Sequence, residues 1–140
     1  MVKIYGYRKD SDQYTTYTVQ GEGVTELCTL DGGTYISVTE NLPQHDERLT
    51  VAELVLTDDL RSQIKKASPH IQLLNDRIKA KIRERYDAED EMYFSRISIG
   101  ALMGQYAMEA GEQEKVLAYG AYIEEIRQWG RDEKAKMGLA

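Results

Sequence analysis

Residues 69–91, PHIQLLNDRIKAKIRERYDAEDE, decide the fold, because they specify one helix and the start of the next. Ser68 suits the N-cap, since its hydroxyl can accept a hydrogen bond from a free first-turn N–H. Pro69 suits the first helical position, where its missing N–H costs nothing. Apolar residues then recur every three or four positions on one helical face: Ile71, Leu74, Ile78 and Ile82. The pattern predicts a helix from Pro69 to about Tyr86.

A second helix is predicted directly after Tyr86. Asp87 can cap it, and Asp90 three residues later completes an aspartate version of the capping box. Further carboxylates in the first turn suit the positive end of the helix dipole. This helix is predicted from Ala88 to about Ala107, where Gly100 and Gly104 would form a smooth groove for close helix approach.

Two more helices flank this pair. Thr57 can cap a short helix over 58–67, with Leu60 and Ile64 inward. After Gly111, a last helix is predicted from Glu112 to about Lys136, with Gly138 as its C-terminal stop. Its inward positions are predicted from spacing: Val116, Gly120, Ile123 and Ile126.

Residues 1–39 are typical of β-structure, being rich in Val, Thr and Tyr with turn clusters between. The sequence Asp31-Gly32-Gly33 lies between two apolar runs and predicts a tight hairpin. We expect an antiparallel meander of three or four strands with one covered face. Residues 53–56 could return to the sheet as a short strand or form a helix, because residues 50–53 also resemble a capping box; the strand is favoured.

These patterns predict an α+β fold: an N-terminal antiparallel β-meander of three to four strands, then three to four helices. At 140 residues we expect a single domain, with a β part over 1–56 and a helical part over 57–140. The net charge is −6, although residues 58–86 hold eight Lys/Arg against four Asp/Glu. With one cysteine no intrachain disulfide can form, and no apolar run approaches membrane-spanning length.

No constellation of residues typical of catalysis is found. His45 and His70 are the only histidines and lack metal-ligand spacing, while Cys28 lies in a predicted strand. The glycine pairs do not form a phosphate loop. We therefore expect no enzyme activity, metal or cofactor. Nucleic-acid binding is not favoured either, because alternating basic residues spread around a helix: Lys79, Lys81, Arg83 and Arg85.

Two segments resemble small tail-associated proteins of tailed phages and prophages, which include tail-fibre assembly proteins. Residues 81–91, KIRERYDAEDE, resemble a basic helix that ends in Arg-Tyr and restarts with an acidic cluster. Residues 119–131, YGAYIEEIRQWGR, are similar to the family's C-terminal helix with spaced tyrosines and a Trp-Gly-Arg ending. The resemblance covers about residues 57–136, and the segment 93–108 is longer than in the family pattern. It implies protein–protein work and supplies no catalytic residues.

The resemblance implies a tail-fibre assembly chaperone or a minor virion component that binds a phage tail or fibre protein. Such a protein acts in the host cytoplasm during assembly, and whether it stays in the virion tail is open. We expect a homo-oligomer, and a partner contact through aromatic and arginine residues of the last helix: Tyr119, Tyr122, Arg127, Trp129 and Arg131. The alternative for the two tyrosines and Trp129 is that they close the protein's own core. The alternative function is a small regulator that binds a host protein or nucleic acid through the basic helix 69–86.

Overall fold

An antiparallel sheet from the N-terminal part of the chain is followed by four helices, which confirms the α+β class. The structure is a computed structural model that describes all 140 residues. The strands are β1 (Lys3–Tyr7), β2 (Asp10–Ser11), β3 (Thr16–Tyr17), β4 (Val24–Leu30), β5 (Gly33–Val38) and β6 (Ala52–Leu54). The helices are α1 (Asp58–Ala67), α2 (Pro69–Arg83), α3 (Ala88–Leu102) and α4 (Glu112–Lys136).

Two compact units make up the chain. Unit 1 comprises Met1–Leu74 and Arg131–Ala140, and unit 2 comprises Asn75–Gly130. Unit 1 therefore contains the whole sheet and α1. No helix in either unit is both long enough and apolar enough to cross a bilayer.

The main sheet has four antiparallel strands in the order β4-β5-β1-β6, while β2 and β3 form a separate two-stranded ribbon. The predicted strand near residues 53–56 exists as β6, which pairs with β1. The strand order departs from a simple meander, because β1 lies between β5 and β6. β1 is therefore an interior strand, which pairs with β5 on one side and with β6 on the other.

The hairpin between β4 and β5 forms where it was predicted. Asp31 and Gly32 both have positive φ, at 49° and 79°. Two successive residues of this kind define the tight turn that matches the twist of the flanking strands. Gly33 is already the first residue of β5.

Both faces of the sheet are covered, so the prediction of one covered face was wrong. The helix-side core contains these buried residues: Ile4, Leu27, Cys28, Ile64, Ile71 and Leu139. The opposite core contains another set: Tyr7, Val19, Ile36, Val38 and Leu49. Ile4 and Tyr7 belong to different cores because alternate side chains of a strand point to opposite faces. Segments outside regular structure supply Val19 and Leu49 to the second core.

The predicted side-chain caps form at the starts of α1 and α3 but not at the start of α2. Thr57 caps α1, since its hydroxyl accepts a 3.2 Å hydrogen bond from the Leu60 N–H. Asp87 and Asp90 form the predicted reciprocal capping box, with bonds of 2.7 and 3.0 Å. Ser68 differs from the prediction. Its hydroxyl is buried without a hydrogen-bond partner, so only its carbonyl takes part, accepting from Gln72 N–H at 3.2 Å.

The end of α3 overturns the predicted helix–helix groove. The helix ends at Leu102, and Gly104 lies beyond it with φ of 72°. The Gln105 N–H donates to Gly100 O at 2.9 Å, and the Gly104 N–H donates to Ala101 O at 3.2 Å. These two bonds make a Schellman motif. Gly104 therefore stops the helix, whereas a Cβ at Gly100 would come within 2.8 Å of Tyr106 Cβ.

Helix α4 has the predicted bounds, and Gly138 stops it as expected. The Leu139 N–H donates to Lys134 O at 3.0 Å, which again makes a Schellman motif. Leu139 then lies fully buried in the helix-side core of unit 1, a placement that the sequence did not indicate. Gly120 was predicted to face inward, but it is exposed and nothing lies within 4 Å of its would-be Cβ.

Candidate interaction surface

Unit 2 is built around a group of packed aromatic rings centred on Tyr86. The ring centroid of Tyr86 lies 5.8 Å from Phe94, 5.0 Å from Tyr119 and 5.6 Å from Tyr122. The pairs with Phe94 and Tyr119 are edge-to-face, the geometry that aromatic quadrupoles favour. Residues from the turn after α2, from α3 and from α4 thus meet at one point.

The hydroxyl groups of the two α4 tyrosines also bond inside unit 2. Tyr119 donates to Glu91 Oε1 at 2.9 Å, while Arg83 donates to Glu91 Oε2 at 2.7 Å. The Arg83 hydrogen bond, helped by Tyr119, holds the pKa of Glu91 below its usual range. Tyr122 donates to the carbonyl oxygen of Lys81 at 2.6 Å. Both tyrosines therefore join α4 to earlier helices of the same unit.

Two basic residues, one in the last turn of α2 and one just after it, make cation–π contacts with aromatic rings of α4. Lys81 Nζ lies 4.7 Å from the Trp129 ring centroid, and the Arg85 guanidinium lies 4.9 Å from that of Tyr122. Arg83 pairs with Glu91. Lys81, Arg83 and Arg85 therefore all contact other side chains of unit 2. These contacts reduce the support for a regulator that binds through this helix.

Among the predicted partner-binding residues, the three aromatics are half-buried and the two arginines are exposed. Unit 2 brings together Tyr119 and Tyr122 around Tyr86, and holds Trp129 against Lys81. Arg127 also belongs to unit 2, whereas Arg131 belongs to unit 1. The packing gives the tyrosines and Trp129 a role inside their own unit. Their role in partner binding stays a prediction.

Glu112, the first residue of α4, is a buried carboxylate that holds the segment before it. It accepts hydrogen bonds from the hydroxyl of Tyr93, from the hydroxyl of Tyr106 at 2.7 Å and from the Glu109 N–H at 2.7 Å. These bonds, with Tyr93 the largest cause, keep the pKa of Glu112 below its ordinary value. The same carboxylate raises the pKa of Tyr106 to about 12.

An exposed apolar surface lies on the part of unit 2 that these bonds hold in place. We call it the α3–α4 surface and define it by its exposed residues: Met92, Ile99, Leu102, Met103 and Leu117. Leu102 is 89% exposed and Ile99 57% exposed, although both belong to a regular helix. Met92, Ile99 and Leu102 are spaced by seven and three residues, so they share one helical face. Exposed apolar residues that share one helical face are a feature of interaction sites.

A groove runs between α3 and α4 beside this surface. Its volume is about 350 Å³, and Ser98 and Ile99 of α3 face Val116 and Gly120 of α4 across it. A second cavity, of about 430 Å³, includes Met92 and shares Ser95 with the groove. Because Gly120 has no side chain, the groove stays open on the α4 side. The arrangement could accept an apolar side chain from a partner.

The interface residues predicted from the aromatic and arginine content of the last helix include none of the residues of the α3–α4 surface. A different pattern in the sequence could have indicated it. Residues 97–108, ISIGALMGQYAM, contain no charged residue, in a chain that is 30% charged. Apolar residues of such a stretch are most often buried, but here Leu102 and Met103 are exposed.

Two further observations bear on the chemistry of the chain. No group of three or more His, Cys, Asp or Glu side chains is arranged to hold a metal ion. Cys28 is a buried free thiol, and burial, followed by the nearby Glu26, raises its pKa. Comparison with protein-family models, curated proteins and solved structures gave no match for this chain.

Proposed function

We propose that this chain is a non-enzymatic, tail-associated protein of a tailed phage or prophage that binds a tail or fibre protein. In this proposal the α3–α4 surface is the contact site, and the role is that of an assembly chaperone or a minor virion component. The phage assignment rests on the resemblance of residues 57–136 to that family. The contact site rests on one observation, the exposure of Leu102 and its apolar neighbours on an ordered helix.

The physical argument is that the surface offers apolar area next to a preformed groove. Burying apolar area stabilises a complex by about 25 cal/mol per Å² before the costs of association. Glu112, four residues before Val116 of the groove, bonds α4 to Tyr93 of α3 and to Tyr106. A partner therefore meets a surface that needs little ordering, which favours affinity.

The first test is the genomic neighbourhood, because tail-fibre genes beside the coding gene are expected. Neighbours without any phage structural gene would contradict the phage assignment. The second test is co-expression with the adjacent tail or fibre protein, followed by co-purification. We expect the unmodified chain to retain that protein.

Gly120 allows a sharp test of the contact site. Gly120→Trp should fill the groove and abolish co-purification, whereas Gly120→Ala adds one methyl group to open space and should leave it intact. In the same assay Leu102→Gln should weaken binding about fivefold or more, as for interface anchors. Leu73→Gln is the matched control, since Leu73 is an exposed leucine of unit 1.

Three results would contradict the contact site. Unchanged co-purification of Gly120→Trp with a normal melting temperature would show that the partner binds elsewhere. Equal losses for Leu102→Gln and Leu73→Gln would indicate non-specific hydrophobic capture. A change in the sedimentation of the isolated chain on Gly120→Trp would assign the surface to self-association, the predicted homo-oligomer, instead of a tail protein.

A further inference from the structure

Unit 1 contains a cavity of about 560 Å³ that the proposed function does not use. It lies where the β4–β5 hairpin, the end of β1 and β6 come together. The residues that matter for its chemistry are Gly6, Arg8, Tyr35, Arg48, Thr50 and Leu54. Cavities of this size that combine apolar walls with a few polar groups are typical of small-molecule sites.

Arg8 is the first of two guanidinium groups at this cavity. Its Nη2 donates to the backbone oxygen of Asp31 at 3.3 Å, and no carboxylate lies within ion-pairing distance. The guanidinium lies against the hairpin turn, since a Cβ at Gly32 would come within 2.6 Å of Arg8 Nη1. Arg8 thus presents a full positive charge with most of its donors unused.

Arg48 is the second guanidinium, and other residues fix its position. Its Nη1 donates to Asp12 Oδ2 at 3.4 Å, and its guanidinium carbon lies 4.4 Å from the centroid of the Tyr17 ring. Asp12 is itself held by the N–H groups of Tyr14 and Thr15. The Asp12 contact uses only Nη1, so the other donors of the Arg48 guanidinium are not engaged by it.

The rest of the cavity lining is mixed. Leu30, Leu54 and Tyr35 supply apolar and aromatic wall, while Thr50 supplies a hydroxyl. Asp31 is the one carboxylate among the lining residues, against two arginines. The lining thus holds two guanidinium groups against the carboxylate of Asp31, while Asp12, outside the lining, pairs with Arg48 and leaves Arg8 without an ion-pair partner. Arginine is the side chain best suited to bind carboxylate and phosphate oxygens, because its donors form a planar fork.

We propose that this cavity binds a small organic anion, whose carboxylate or phosphate group is held by Arg8 and Arg48 and whose apolar or aromatic body contacts Leu54 and Tyr35. The site lies in unit 1 and does not depend on the tail-associated function. The chain would thus bind a small molecule in unit 1 in addition to the proposed protein partner in unit 2.

The experiment is a titration of the full-length, isotope-labelled chain followed by amide chemical shifts. Phenyl phosphate and benzoate are the two anionic probes, inorganic phosphate tests the charge alone, and benzyl alcohol tests the ring alone. We expect saturable shifts at the amides of Gly6 and Gly33 with an anionic aromatic probe, weaker binding of inorganic phosphate and none of benzyl alcohol. The stronger of the two anionic aromatic probes decides between phosphate and carboxylate.

Three single substitutions complete the test. Arg8→Gln should weaken binding of the stronger probe about tenfold, as expected for one lost charge-assisted hydrogen bond. Arg48→Gln should act similarly, but it also removes the contact with Tyr17. Arg8→Gln is therefore decisive, because Arg8 is exposed and its removal should leave folding unchanged. Lys79→Gln removes the same charge from an exposed position in unit 2 and should not alter binding.

Three outcomes would overturn the proposal. The first is shifts that do not saturate or that spread over both units. The second is an affinity that Arg8→Gln leaves unchanged in a folded protein. The third is an equal loss in Lys79→Gln, which would mean that the probe responds only to net charge.

Discussion

The carboxylate of Glu112 accepts a 2.7 Å hydrogen bond from the hydroxyl of Tyr106, which lies six residues earlier in the chain. The same Tyr106 packs against Gly100 at the end of α3, where a Cβ would come within 2.8 Å of Tyr106 Cβ. One residue therefore fixes the segment between α3 and α4 at both ends. This segment includes Met103, one of the five residues of the α3–α4 surface.

We predict that Tyr106→Phe lowers the melting temperature, because it removes a hydrogen bond to a charged acceptor while keeping the ring. The matched control is Tyr14→Phe, since Tyr14 is 86% exposed and its hydroxyl has no partner. Thermal unfolding monitored by circular dichroism is the measurement. A drop no larger than that of Tyr14→Phe would mean that the Glu112 contact does not stabilise the segment.

The stability of the chain should depend on pH through the same pair. The folded pKa of Glu112 is depressed below its ordinary value of 4.5, chiefly by Tyr93 and then by Tyr106. Its contribution is therefore present above about pH 4.5 and is lost as the pH falls through the folded pKa. The pKa of Tyr106 is raised from 10.0 to about 12, so its contribution is present below pH 10 and is lost between pH 10 and 12.

Denaturant unfolding between pH 3 and pH 7 checks the acid side of this prediction. Glu112→Gln cannot titrate at position 112, so its free energy of unfolding should fall less steeply with acid than that of the unmodified chain. Other carboxylates with lowered pKa values, Asp12 and Glu91, are unchanged in the variant and serve as the internal reference. Parallel curves for the two proteins would remove Glu112 as an acid-sensitive group.

The capping box at the start of α3 should be worth a measurable amount of stability. Asp87→Ala removes the acceptor of the Asp90 N–H, and we expect a loss of about 1 kcal/mol in the free energy of unfolding. Glu89→Ala changes a carboxylate in the same turn that has no capping bond, and should stay within about 0.5 kcal/mol. Urea titration of both variants makes the comparison, and similar losses would mean that the cap adds nothing beyond first-turn charge.

Two helical glycines of α4 should respond differently to alanine. Gly120→Ala places a methyl group in open space, so improved helix propensity should stabilise the chain by about 1 kcal/mol. Gly130→Ala gains the same propensity but places its Cβ within 2.7 Å of Ile78 Cδ1, so Ile78 must move. We expect a smaller gain or a loss at Gly130, measured by the same titration. An equal or larger gain in stability at Gly130 would show that the Ile78 side chain moves aside at no cost in free energy.

The parts of the fold that the sequence predicted well depend on contacts within a few residues. The hairpin at Asp31 and Gly32 needs positive φ angles that those residues adopt easily. The Asp87 capping box and the bounds of α4 follow from local hydrogen bonds and from Gly138. Each of these features is encoded within one or two turns of chain, so pattern and propensity were sufficient.

The features that were missed depend on residues far apart in the sequence. Gly100 and Gly104 have groove spacing, but their roles were decided by the tight end of α3 and by Tyr106. The spacing of Tyr119 and Tyr122 could not show that their rings pack against the ring of Tyr86, which lies more than thirty residues earlier. Likewise, Val19 and Leu49 lie in irregular segments, where no periodicity marks a residue for the second face of the sheet.

Leu139 and Ile4 share one core, although 135 residues separate them. Unit 1 is thus assembled from two distant pieces of chain, whereas unit 2 is one uninterrupted stretch. Contacts between distant residues carry a larger loop-closure cost and slow folding. During synthesis every residue of unit 2 leaves the ribosome before Leu139 does. The helix-side core that contains Ile4 can therefore be completed only after unit 2 has been synthesised, and until then the first strand lacks part of its apolar cover.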